Sequence, residues 1–307
     1  MSDSSESVWD LDEEDLEKLR GETIILSMSG GKDSTATALL LEHNGIPFTS
    51  VFMDTGWEHP VTYEYLDTVL TERFGEVVRL SSSFEDPDED GQFVSLVRKK
   101  QMFPSRLIRF CTQELKVKPF QKYLESLDSD PIVVLGIRRE ESSARAKFDR
   151  WKFNETYDAM VFAPLVDHTF DDIIKMHQEK EILPNPLYLQ GAQRVGCFPC
   201  IFARKNEVKT AAKLYPERFN VIERLEDELS EAKGKRLSFF HGRGTGDAGI
   251  RDVLQWASTE WGGKQYPMFD FTAQDGCTRW GMCEAPESRT EYVTVEERKR
   301  KEGEESK

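Results

Sequence analysis

Ser29-Gly30-Gly31-Lys32-Asp33-Ser34 is the stretch on which the reading of this chain turns. It follows Thr23-Ile24-Ile25-Leu26-Ser27-Met28, a short apolar run with β-branched residues and polar bounds, which reads as a buried strand. It precedes residues 35–43, which read as a helix stopping near Asn44-Gly45. Two glycines and a lysine therefore stand where a strand becomes a helix. Glycine lets the backbone approach a ligand closely, and a helix start offers unpaired N–H groups. Together they favour an anion, and phosphate above others. Lys32 adds a full positive charge. The pattern is not a Walker A loop: the earlier glycine is missing, and Asp follows the lysine. The plainer alternative is an ordinary strand-to-helix turn with a serine cap.

Outward from this loop the chain alternates. Residues 47–53 read as a second strand ending at Asp54, 60–73 as a helix, 76–80 as a third strand and 132–136 as a further one. Strands alternating with helices predict an α/β fold with a parallel, doubly wound sheet. In such sheets ligands bind at the carboxyl ends of the strands, which brings the 29–34 loop and Asp54 together. Asp54 can accept hydrogen bonds from a ribose or an adenine amino group, and Trp57 offers a stacking face. Residues 11–19 read as a short helix. Residues 93–100, 209–214 and 217–232 read as helices, and Thr169 caps another with Asp171 and Asp172 in its first turn.

The 307 residues are enough to bury a sizeable core. A net charge of −15 argues against broad nucleic-acid binding through phosphate neutralisation. Much of the acid lies in peripheral runs: residues 1–20 carry eight acidic and two basic side chains, and 85–90 form a second run. No apolar run approaches a membrane span, and the N-terminus does not read as a signal peptide, so the expected location is the cytoplasm. Five cysteines, at 111, 197, 200, 277 and 283, are an odd number that argues against a disulfide framework. Two thiolates on one tight turn, Cys197 and Cys200, can grip a tetrahedral iron or zinc ion. Arg194 nearby favours the thiolate form.

Several stretches resemble one family, the phosphoadenosine phosphosulfate (PAPS) reductases of the PP-loop, adenine nucleotide alpha-hydrolase-like superfamily. They are the 29–34 loop after its strand, Asp54-Thr55-Gly56 followed by Trp57 and Pro60, Arg106 through Pro119 with Cys111, and Gly136-Ile137-Arg138-Arg139 with Ser142 and Arg145. Residues 182–188, with Pro184-Asn185-Pro186-Leu187-Tyr188, and Gly196-Cys197-Phe198-Pro199-Cys200 complete the set. The resemblance runs from about residue 24 to 200. It implies a PP-loop, Rossmann-like domain over 21–205, after an acidic flexible lead over 1–20. A mainly helical region over 206–284 carries the second cysteine pair, and 285–307 form a charged tail.

The resemblance implies that Ser29, Gly30, Gly31, Lys32, Asp33, Ser34, Asp54, Gly136, Arg138 and Arg145 bind an adenine nucleotide, PAPS or ATP. Arg106, Arg109, Lys116 and Lys118 are further cations for an anionic substrate. Lys32, Asp33, Cys111 and Cys283 are the candidate catalytic residues. Adenylyl-sulfate reductases hold an iron–sulfur cluster at the two cysteine regions. Here a four-iron cluster would use Cys111, Cys197, Cys200 and one of Cys277 and Cys283. The alternative is zinc on Cys197, Cys200, Cys277 and Cys283, leaving Cys111 as a free thiol. The reductases attack sulfur with a cysteine in a C-terminal Glu-Cys-Gly-x-His motif. That motif is not found here, and Met282-Cys283-Glu284 is a distant echo. Three functions follow: a sulfonucleotide reductase-like enzyme with a thioredoxin-like or sulfur-donor partner, an ATP pyrophosphatase sulfurtransferase that requires Mg²⁺, or a non-catalytic nucleotide-binding subunit of a complex.

Overall fold

The structure is a computed structural model that describes residues 8–82, 88–240 and 249–259. Apolar β-branched runs place β1 at Ile24–Ser27, after a short α1 at Glu13–Leu19 that Asp12 caps. Then follow α2 (Lys32–His43), β2 (Thr49–Met53) and α3 (Pro60–Tyr65). A π-helical turn, Leu66–Leu70, joins α3 to α4 (Thr71–Phe74), and β3 (Val77–Leu80) and α5 (Gln92–Lys100) come next. A short α6 (Phe110–Thr112) passes through a second π turn, Gln113–Val117, into α7 (Lys118–Glu125) and β4 (Ile132–Val134). The remaining elements are β5 (Trp151–Asn154), β6 (Ala159–Phe162), α8 (Phe170–Glu179), α9 (Pro186–Leu189), α10 (Lys205–Leu214), α11 (Pro216–Lys233) and α12 (Ile250–Ser258).

The strands form one sheet in the order β3-β2-β1-β4-β6-β5, parallel except for the β5–β6 pair. Alternate residues of each strand face opposite layers. Ile24, Leu26, Phe52, Val134 and Phe162 pack with α2 and α8, while Ile25, Val51, Val133 and Val161 pack with Phe120 and Leu124 of α7. Both faces are covered, as a parallel sheet requires. From β1 the chain crosses to β2 on one side, and β4 returns on the other. The crevice between β1 and β4 is thus the topological switch point, and the 29–34 loop opens onto it.

Three expectations change. Residues 8–19 are not a loose lead: Trp9, Leu11 and Leu19 are buried in the main core, and buried Asp15 accepts bonds from Arg150 and Trp151. The β5–β6 hairpin adds an antiparallel edge that the sequence reading omitted. Trp57 offers no stacking face: it is 1% exposed, and packs on Phe93 and Phe239.

A second apolar cluster takes Trp57, Phe93, Phe103 and Phe198 from before residue 205 and Phe219, Ile222, Phe239 and Ile250 from after it. Buried Glu226 of α11 fixes this layer, accepting N–H bonds from Phe239 (2.8 Å) and Ile250 (2.6 Å) and a hydroxyl bond from Ser238 (3.2 Å). Near the site, the loop after β2 meets the start of α5 backbone to backbone. A Cβ on Gly91 would lie 2.2 Å from the Gly56 carbonyl oxygen, and one on Gly56 would lie 2.6 Å from the Gln92 nitrogen.

Candidate nucleotide and cysteine site

Gly31 caps α2, so the loop hands directly into a helix N-terminus. Its hydroxyls are tied together: the Ser29 and Ser34 oxygens lie 3.1 Å apart, and Ser34 donates to the Gly31 carbonyl. A neighbouring segment holds the loop's backbone. Asn185 donates to the Gly30 carbonyl at 3.2 Å, His177 Nε2 bonds the Lys32 carbonyl at 3.0 Å, and the Tyr188 hydroxyl accepts the Lys32 N–H at 3.2 Å. Gly136, just past β4, touches the loop from the other side. A Cβ there would meet the Asp33 carbonyl and the Ser34 nitrogen at 2.8 and 2.9 Å. Its lack of a side chain lets β4 press against the loop.

Asp33 carries two cations. Lys32 Nζ lies 2.7 Å from one carboxylate oxygen, and Arg138 Nε lies 2.6 Å from the other. Burial alone would raise the Asp33 pKa, but Lys32 and Arg138 outweigh it and hold the carboxyl below its usual range. Burial likewise works against the Lys32 ammonium, and Tyr188 and Asp33 outweigh it. Lys32 also lies over the rings of Phe170 and Tyr188. The result is a strand-end loop at which Lys32 and Arg138 share Asp33, with Glu140 a second carboxylate partner of Arg138. Arg145 is not in it: its guanidinium pairs with Glu141, whose carboxylate also accepts the Arg138 N–H. Arg145 braces the Arg138 segment.

Asp54 ends β2 and accepts bonds from the Gly56 N–H and the Tyr63 hydroxyl, both at 2.8 Å. The same hydroxyl reaches Glu58 at 3.1 Å. Glu58 is 1% exposed and also accepts from the Thr55 hydroxyl and the Trp57 N–H. Beyond it stands Cys197, whose Sγ is 3.8 Å from a Glu58 oxygen. The cysteine turn is pinned to this loop: Glu58 and Cys197 form an antiparallel bridge, Phe198 N–H donates to the Trp57 carbonyl, and Trp57 Nε1 donates to the Pro199 carbonyl. The Arg218 guanidinium sits 3.9 Å from the Trp57 ring centroid and seals the far side.

Lys116, in the second π turn, faces the thiols of Cys111, Cys197 and Cys200 and lies 3.9 Å from Glu58. Burial pushes the Cys197 thiol up to about 12, against the pull of Lys116, and burial also raises Cys111. The Lys116 pKa is raised, through Cys197 first and, against its own desolvation, through Glu58. The other cations of that stretch turn elsewhere: Arg109 stacks on Phe202, and Lys118 pairs with Glu114. Among the described residues no group of three or more His, Cys, Asp or Glu side chains is gathered to hold a metal ion. Cys111, Cys197 and Cys200 therefore do not form a ligand set by themselves. Cys277 and Cys283 lie outside the described residues.

Residues 23–203 match the phosphoadenosine phosphosulfate reductase domain, more than half of the chain. The chain belongs to this family. An uncharacterised 37.8 kDa protein of Escherichia phage 186 is 32% identical, over 81% of this chain and 92% of its own length. The adenosine 5′-phosphosulfate reductase of Bacillus pumilus is 29% identical over 49% of this chain and 61% of that one. The uncharacterised protein MJ0066 of Methanocaldococcus jannaschii is 28% identical, and the match spans only 42% of it. Among solved structures, the PAPS reductase of Candida auris in its phosphate complex aligns with a TM-score of 0.49 at 16% identity, over 65% of this chain and 98% of that one.

Within this PAPS reductase-family domain the structure brings Ser29, Gly30, Gly31, Lys32, Asp33, Ser34, Gly136 and Arg138 into one cluster, and hydrogen bonding links Asp54 to the cysteine turn. Sequence reasoning missed Glu58, Tyr63, His177, Asn185 and Tyr188 as site residues. The family-like turn at 184–188 was the available signal for Asn185 and Tyr188, but it reads as a structural turn until the loop is seen beside it. Among the described residues no helix is long and apolar enough to cross a membrane.

Proposed function

We propose that this chain is a sulfonucleotide reductase-like enzyme. An adenine nucleotide carrying a phosphosulfate places its anionic end on the 29–34 loop, under Lys32 and the helix N-terminus. The adenosine lies toward Asp54. A cysteine thiolate, Cys111 or Cys283, attacks the sulfate sulfur, forming an S–S bond as the S–O bond to the nucleotide breaks. A dithiol partner of the thioredoxin type then reduces the thiosulfonate and releases sulfite. The observation that carries this reading is the link between the two halves of the site: the one proton of the Tyr63 hydroxyl stands within reach of both Asp54 (2.8 Å) and Glu58 (3.1 Å), and the Cys197 thiol meets Glu58. The name of the Bacillus pumilus relative supports the same substrate class.

The absence from the sequence of the Glu-Cys-Gly-x-His motif favours a second reading. In it the loop binds ATP with Mg²⁺, cleaves it between the α and β phosphates, and adenylates an acceptor that then receives sulfur. The acceptor is a nucleic acid or a small molecule. In either reading an iron–sulfur cluster or zinc needs Cys277 or Cys283 beside the described cysteines, and metal analysis of the purified chain tests that requirement. Two assays run side by side separate the functions: sulfite release from PAPS or adenosine 5′-phosphosulfate with thioredoxin, and pyrophosphate release from ATP. Sulfite alone supports the reductase, and pyrophosphate alone supports the sulfurtransferase. Nucleotide binding with neither product overturns both and leaves a binding subunit.

A further inference from the structure

A short turn beside the cysteine site shows aliphatic side chains to solvent. Leu107 is 96% exposed and Ile108 51%. Isolated exposed aliphatics are ordinary on protein surfaces, but these two are adjacent and held in place. The Ser105 N–H donates to the Ile108 carbonyl at 3.0 Å, and the Ile108 N–H donates to the Ser105 hydroxyl oxygen at 3.2 Å. Phe103 before the turn and Phe110 after it are buried in the second apolar cluster. Folding the tip inward would draw an aromatic ring out of that core. Arg106 and Arg109 flank the two aliphatic side chains, and both are exposed. Arg98 and Lys118 are paired with carboxylates, whereas neither flanking arginine has a carboxylate partner among the described residues. Cys111 follows Arg109 by two residues, and the Arg109 guanidinium lies 4.7 Å from the ring centroid of Phe202, two residues past Cys200. The turn therefore stands at the rim of the cysteine site.

We propose that residues 105–109 form the docking surface for a dithiol protein whose own cysteines lie in an apolar face bounded by carboxylates. The inference rests on the reductase reading above. Two observations choose this occupant. Against a net charge of −15, a turn with two arginines free of carboxylate partners among the described residues is where a carboxylate-bounded face meets attraction. The turn also borders Cys111 and, through Phe202, the 197–200 segment, so a protein that reaches the thiols from this end covers Leu107 and Ile108. The chemistry it would perform is balanced. One partner thiolate attacks the cysteine sulfur of the thiosulfonate, the bond to the sulfite sulfur breaks, and sulfite leaves with the electron pair. The partner's second thiolate then displaces the enzyme cysteine from the mixed disulfide. One of the two partner protons passes to the restored enzyme thiol and the other is released, and the partner ends as a disulfide, two electrons poorer.

The test compares two reductants in one sulfite-release assay on the full chain, at saturating PAPS or adenosine 5′-phosphosulfate. Reduced thioredoxin is the protein probe, and dithiothreitol is a small dithiol that needs no docking surface. Leu107→Ser removes an exposed side chain, and a thermal melt checks that the fold is kept. It is expected to lower kcat/KM for thioredoxin about tenfold, the worth of an aliphatic side chain buried on binding. Leu107→Asp adds repulsion against the carboxylates and is expected to lower it about thirtyfold. The rate with dithiothreitol is expected to stay at the wild-type value in both variants. An equal loss with both reductants overturns the inference, as does an unchanged kcat/KM for thioredoxin. Sulfite release by the wild type with dithiothreitol but not with thioredoxin also overturns it. A wild-type oligomer that Leu107→Ser dissociates, seen by sedimentation, assigns the turn to a second copy of the chain and overturns it too. Each of these outcomes leaves the reductase reading standing. Absence of sulfite with either reductant overturns that reading and the inference together.

Discussion

Asp33 holds a cation on each of its oxygens, and this arrangement separates binding from folding at the loop. In Lys32→Ala, Asp33 keeps its pair with Arg138, so the carboxylate is not left uncompensated. The variant is expected to fold with a melting temperature close to wild type yet lose nucleotide affinity or turnover by about 100-fold. Isothermal titration beside a thermal melt checks both halves, and unchanged binding would refute the loop assignment. His59 makes a different statement. Its Nδ1 accepts the Val61 N–H as the cap of α3, which requires the neutral ring. Burial lowers its pKa, and Arg218 adds to that, against the bond to the Leu214 carbonyl. The unfolded chain binds the proton more readily, so this contribution to stability is full above the ordinary histidine pKa and is lost as pH falls below it. His59→Asn keeps a capping oxygen without the titration. Its melting temperature should fall less than that of wild type between pH 7 and pH 5. At this scale, residues 29–34 and Arg138 were legible because a local motif announces them. Glu58 and Tyr188 were not, because their roles exist only through partners such as Cys197 and Lys32, far away in the chain.

Among the elements, β4 and α2 are coupled through a missing side chain. Gly136→Ala would drive a Cβ into the Asp33 carbonyl and the Ser34 nitrogen, both backbone, with no flexible atom to yield. The expected cost is roughly 2 kcal/mol of stability, with weaker nucleotide binding because the loop must shift. Denaturant unfolding and titration of the same variant check it, and a neutral result in both would mean that β4 does not seat the loop. The strands of the parallel core were readable because they are apolar runs between turn signals. The β5–β6 hairpin was not, since Trp151-Lys152-Phe153-Asn154 and Ala159-Met160-Val161-Phe162 are each four residues long. Phe153 and Met160 remain exposed, which blurs the alternation that marks a strand. The π turns in the α3–α4 and α6–α7 helices carry no sequence signal of comparable strength, and one of them aims Lys116 at the cysteines.

For the molecule as a whole, the second apolar cluster joins α10–α12 to the loop after β2 and to the cysteine turn. The described parts should therefore unfold together. Glu226→Ala removes the acceptor of the Phe239 and Ile250 N–H groups and leaves both buried. It is expected to cost about 3 kcal/mol and to loosen the helical layer first. Limited proteolysis should then cut between α11 and α12 before the sheet domain. Cleavage kinetics identical to wild type would show that Glu226 does not fasten that layer. In this region α10 and α11 were legible in the sequence and α12 was not, and the attachment of all three was hidden, because a helix pattern reveals an apolar face without revealing what covers it.

The contact between Gly56 and Gly91 also bears on how this sequence is free to change. Most tight spots in a core admit paired change, in which one side chain shrinks as its neighbour grows. Here each glycine is crowded by the backbone of the other's segment, and both have positive φ angles. No second substitution can make room for the first. A side chain at either position therefore strains the same backbone contact. Variant libraries of this protein should therefore yield glycine at both sites among functional clones, with no compensating pairs.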